Sequence, residues 1–60
     1  KLYIRFGSLD RFHRLYGVSE FLKNVLSKIR PNVYSIKADN QHEISNLLIS
    51  RNVKFDISDK

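Results

Sequence analysis

Three short stretches of this chain alternate apolar with polar residues: Leu2-Tyr3-Ile4-Arg5-Phe6, Val33-Tyr34-Ser35-Ile36-Lys37-Ala38 and Val53-Lys54-Phe55-Asp56-Ile57. Successive side chains of a β-strand point to opposite faces, so the alternation predicts three strands that each bury one face and wet the other. The wet face carries Tyr3, Arg5, Val33, Ser35, Lys37, Lys54 and Asp56.

Between the first two strands the spacing turns helical. Val18, Leu22, Val25, Leu26 and Ile29 fall on one stripe at about 100° per residue, while Leu9, Phe12 and Tyr16 lie a quarter-turn or more away. This predicts two helical pieces, 9–16 and 20–29, or one helix bent at Gly17. Ser8 is placed to cap the first piece, with Asp10 in its first turn. Gly17 is placed to end it and Ser19 to cap the second. Pro31 enforces the exit. After the second strand, Asn40 and Glu43 have capping-box spacing, Ile44, Leu47 and Leu48 form a buried stripe, and Asn52 is a candidate left-handed stop.

The elements therefore run β-α(α)-β-α-β, an α+β or small α/β fold with a three-stranded sheet. Crossovers of this kind imply parallel pairing and right-handed connections, which in spatial order 1-2-3 set the helices on one face. The alternating strands ask for that arrangement. Parallel sheets, however, almost never leave a face bare. Either one pair is antiparallel, or a partner or a second copy covers the wet face.

Length sharpens that point. Sixty residues, read as one domain over 1–60, bury about 60% of the unfolded surface, so stability without a disulfide, metal or partner is marginal. Cysteine is absent, which removes disulfides and thiolate metal sites and fits a reducing, cytoplasmic setting better than a small secreted scaffold. Homodimerisation is accordingly expected as one route to stability. The longest apolar run, Leu47-Leu48-Ile49, is far short of the roughly 20 residues that span a bilayer, and no charged-then-apolar leader is visible. No membrane partner is expected.

The net charge of +5 is concentrated in the first half. Residues 1–30 hold Lys1, Arg5, Arg11, Arg14, Lys23, Lys28 and Arg30 against Asp10 and Glu20, whereas residues 31–60 balance. A basic half attracts phosphate backbones, anionic lipid heads or acidic proteins without choosing among them. On the wet sheet face, Arg5, Lys37 and Lys54 would supply phosphate contacts and Tyr3 a stacking platform, with Arg11 and Arg14 of the first helical region assisting. This is the logic of β-sheet RNA-binding modules, which stack bases on aromatics of exposed strands. The aromatic-rich signature of the recognition-motif family is missing, and the pattern shows no fourth strand.

The segment Phe12-His13-Arg14-Leu15-Tyr16-Gly17-Val18-Ser19 resembles the turn of helix-turn-helix DNA-binding proteins, where a glycine allows a sharp turn before the helix that enters the major groove. The resemblance covers about 20 residues, with Phe12, Tyr16, Val18 and Leu26 at apolar positions. It implies that Lys23, Asn24, Ser27 and Lys28 face DNA. Catalysis has less to rest on: His13 and His42 have no carboxylate placed by spacing to orient them, and two histidines make a poor zinc site. Neither a catalytic residue nor a metal or cofactor is expected. Leu15, Phe21, Val33 and Ile49 have no assured place in the core, which suggests a partner surface. The expectation is a small non-catalytic regulatory domain that binds RNA or single-stranded DNA through Tyr3, Arg5, Lys37, Lys54, Arg11 and Arg14. The alternative is a module that docks on an acidic protein, or on its own copy, through Leu15, Phe21, Val33 and Ile49.

Overall fold

A computed structural model describes residues 2–59. Strand β1 spans Leu2–Phe6, as the alternation predicts. Helix α1 follows over Leu9–Val18 and helix α2 over Glu20–Val25. Strand β2, Ser27–Arg30, then joins strand β3, Val33–Ile36, through the two residues Pro31 and Asn32. A single 3-10 turn, Ala38–Asn40, leads into helix α3, Gln41–Ser50, and strand β4 closes the chain over Phe55–Ser58.

Strand β2 is the element that the spacing concealed. Val25, Leu26 and Ile29 extend a helical stripe on paper, yet the chain leaves the helix at Leu26, whose φ and ψ of −104° and 132° are extended. Pro31 disfavours a helical Arg30, and in an extended chain the backbone polar groups of 27–30 pair with β3 instead. The two-residue loop lacks a left-handed residue, since Asn52 is the only positive-φ residue described. Such a loop twists against its strands. The ladder shifts register between Lys28 and Arg30, leaving Ile29 as a bulge.

One added strand means one added chain reversal, and the topology changes with it. The sheet has four strands in the order β2-β3-β1-β4, and every pair is antiparallel. The expected three parallel strands in order 1-2-3 are thereby corrected. With α1 and α2 counted as one crossover, the order is β-α-β-β-α-β, the split β-α-β arrangement of an α+β fold. The correction reaches the open face as well. Antiparallel sheets commonly keep one face in water, so pairing geometry no longer requires a partner or a second copy there.

The helices do share one face. Ile4, Phe6, Tyr34 and Ile36 of the sheet are buried against Phe12, Leu15, Leu22, Leu26, Ile44 and Leu48 of the helical layer, with Val53 closing the end. Aromatic rings occupy the centre. Phe6 and Phe12 stack at 3.7 Å between centroids, and Tyr34 meets them edge-on at 5.6 and 5.2 Å. Such pairs add about 0.5–1.5 kcal/mol each beyond the area they bury. Burial, and secondarily the Tyr16 phenol, push the Tyr34 hydroxyl above its ordinary pKa of 10.0.

Local signals fared unevenly. Ser19 caps α2 as expected, its Oγ accepting from the Leu22 N–H at 3.2 Å. Asn52 is left-handed, with φ 58°, and turns the chain back after α3. Gly17, however, lies inside α1 without a positive φ, so Val18 and not Gly17 ends that helix. Ser8 and Asn40 occupy N-cap positions, but neither side chain makes a capping bond. Val18 and Ile29, expected in the core stripe, are 82% and 50% exposed.

Candidate functional site

Cross-strand register arranges the open sheet face into two transverse rows. Arg30 pairs with Val33, Val33 with Arg5 and Arg5 with Asp56, which gives the row Arg30-Val33-Arg5-Asp56. The second row is Ser27-Ser35-Tyr3-Ser58. Directly paired side chains on one face start about 4.5–5.5 Å apart, and residues two apart along a strand about 7 Å apart. Tyr3 thus stands on a central strand, flanked by two serines, with the Arg5 guanidinium one step along. Tyr3, Arg5, Ile29, Arg30, Val33, Asp56 and Ser58 line one shallow hollow of this face.

This hollow contains two residues, Ile29 and Arg30, that the three-strand reading did not place on the sheet. Arg30 adds a second cation opposite Val33, and the bulged Ile29 adds an exposed aliphatic side chain. The available signal was the pair Pro31-Asn32 set between two short extended runs, which reads as a hairpin once Lys28-Ile29-Arg30 is taken as a strand.

Other candidates are dispersed. Lys37 follows the end of β3 beyond Ile36, which pairs with Leu2, whereas Lys54 lies beside Gly7 past the other end of β1. At about 3.3 Å per residue, that separation is of the order of 20 Å along the sheet. Both lysines rim the face, and neither joins Tyr3 and Arg5 in the hollow. Arg11 and Arg14 belong to α1, on the helical layer behind the sheet, so the structure does not bring them to Tyr3.

The apolar surplus divides in the same way. Leu15, expected to lack a place in the core, is 9% exposed and packs inside it, and Phe21 is half-buried against it. Val33 is half-buried on the open face, while Ile49 is 64% exposed on α3. These four residues form no common patch: Leu15 is in the core, Val33 is on the sheet and Ile49 is on a helix. The helix-turn-helix resemblance asks for Ser27 and Lys28 on a recognition helix, but α2 has six residues and both positions lie in β2. His13 and His42 are exposed on different helices. Among the described residues no group of three or more His, Cys, Asp or Glu is placed to hold a metal ion, and no helix is long and apolar enough to cross a membrane.

No protein-family model, no curated protein and no solved structure matches the chain.

Proposed function

We propose that this chain is a non-catalytic binder of single-stranded nucleic acid, RNA or DNA, acting inside the cell, as its lack of cysteine suggests. The observation that carries the proposal is the hollow on the open face, whose lining brings together Tyr3 and Arg5 of central β1 and Arg30 of edge strand β2. A base stacked on Tyr3 leaves its backbone beside the row that carries Arg5 and Arg30, where the two cations outnumber the single carboxylate of Asp56, and Lys37 and Lys54 at the edges extend the positive rim. The open face of a four-stranded sheet is the surface on which β-sheet RNA-binding modules stack their bases. Here β3 contributes Val33 and Ser35 in place of aromatics, so Tyr3 alone supplies the platform and affinity depends on it. Stacking on one aromatic contributes about 1–3 kcal/mol per base.

Anisotropy of a fluorescent mixed-sequence single-stranded oligonucleotide, titrated at two salt concentrations, tests this reading. Binding is expected at low salt, weakening steeply as salt rises. Tyr3→Ala is expected to weaken it about 5- to 100-fold while circular dichroism stays unchanged. Absence of binding at low salt, or affinity indifferent to both Tyr3→Ala and Arg5→Glu, overturns it.

A further inference from the structure

A second charged surface lies on the helical layer, on the opposite side of the sheet from Tyr3. Arg11, Arg14, Leu15 and Val18 follow one another on α1 at the i, i+3, i+4 and i+7 spacing that makes a single stripe. Across from them, Arg51 and Asn52 leave the end of α3, and these six residues line one groove. Its floor is Leu15, buried into the core, and Val18 stands 82% exposed at its end.

Two features make the groove more than a solvated helix face. Arg11 is held in place, since its Nη1 donates to the Asn52 carbonyl at 3.0 Å, and the left-handed backbone of Asn52 presents that carbonyl at the turn. One donor of the guanidinium is used and the others stay available. Second, three arginines line the groove and no carboxylate does. Arg11 and Arg14 are neighbours on one helix, where like charges repel. The carbonyl end of α3 offsets Arg51 in part. The nearest acidic side chain in sequence, Asp10, lines the adjoining hollow with Lys54 at the start of α1.

We propose that this groove binds an acidic peptide segment of a partner protein, one that carries an aliphatic side chain among its carboxylates. Charge complementarity calls for an anion, and the kind of cation narrows which. All three are arginines, whose planar forks pair bidentately with carboxylate and phosphate alike but which are enriched at protein interfaces where lysine is depleted. The described lysines lie elsewhere, on α2, β2, the end of β3 and the approach to β4. Val18 decides between a peptide and a nucleic acid. A phosphodiester backbone has no group that gains from an exposed valine beside a leucine floor, whereas an aliphatic side chain of a peptide does. The groove and the Tyr3 hollow occupy opposite layers, so both can be filled at once and neither proposal depends on the other.

The test uses the full 60-residue chain and three fluorescent probes: an acidic hexapeptide with one leucine, the same peptide with serine for leucine, and a DNA duplex. The leucine peptide is expected to bind about tenfold more tightly than the serine peptide, the scale of one buried aliphatic contact. Val18→Ser is expected to erase that difference, and Arg14→Glu to weaken both peptides about tenfold or more. Both positions are exposed, and unchanged circular dichroism verifies the fold of each variant. Equal affinity for the two peptides, or no effect of Arg14→Glu, overturns the proposal. Duplex binding that Arg14→Glu abolishes, without peptide binding, overturns it in favour of a nucleic-acid surface.

Discussion

Tyr3 and Tyr34 stand on neighbouring strands of one sheet and face opposite ways. Tyr34 is 4% exposed, wedged edge-on against Phe6 and Phe12 with Tyr16 above it. Tyr3 is flanked by Ser35 and Ser58 and lies beside Arg5 in an open hollow. The side chains are chemically identical. What separates a structural ring from an available one is the side of the sheet on which the helices pack. Stability should therefore respond to changes on the Phe6-Tyr34 side, and binding to changes on the Tyr3-Arg5 side.

The strongest test of that division is Phe12→Ala. It removes the ring stacked on Phe6 from a fully buried site, and truncations of this kind cost about 3–5 kcal/mol. For so small a chain that is most of the stability to be expected. Urea denaturation followed by circular dichroism should show cooperative folding largely lost; a cost near or below about 1 kcal/mol would place the stabilising contacts elsewhere.

A smaller effect is expected from alkaline titration. The Tyr34 hydroxyl titrates above its ordinary 10.0 in the folded chain because burial disfavours the phenolate. The unfolded chain then releases this proton first. The stability tied to protonated Tyr34 is present in full below 10.0 and is lost as pH rises through the higher folded value. Urea midpoints measured from neutral to strongly alkaline pH should fall in that window. Tyr34→Phe keeps the ring and should flatten this component of the decline; an unaltered decline in the variant would assign it to other groups.

The smallest stability effect is expected on the open face. Arg5 is exposed, so Arg5→Gln should change unfolding free energy by no more than about 0.5 kcal/mol. It should nonetheless lower the slope of log affinity against log salt by about 0.7, the loss of one phosphate contact to a single strand. Comparable losses in stability and in binding would blur the two faces; an unchanged slope would remove Arg5 from the binding surface.

Much of this architecture was legible in local pattern. β1 lies where the alternation put it, Ile44 and Leu48 are buried, Ser19 caps α2 and Asn52 adopts the left-handed turn. Each of these depends on period or on the conformational preference of one residue. The misreadings share another cause. Residues 26–30 fit a helical stripe because Val25, Leu26 and Ile29 have the right spacing, and spacing cannot register that the edge of β3 is there to be paired. The groove on α1 was equally hidden, because Arg51 joins Arg11 and Arg14 through contacts distant in sequence.

The sequence by itself determined which side of β1, β3 and β4 is oily and which is wet, since the two-residue period of a strand is a local property of the chain. It also determined that the wet side would carry Tyr3, Arg5 and Asp56. Only the tertiary structure decided the direction in which the strands run. The hairpin from β2 to β3 supplies one extra reversal, which turns a parallel sheet into an antiparallel one. The same reversal set Arg30 in the row with Arg5 and left the Tyr3 face free to stand in water. Strand polarity follows from the number of chain reversals, and that number is a property of the whole fold.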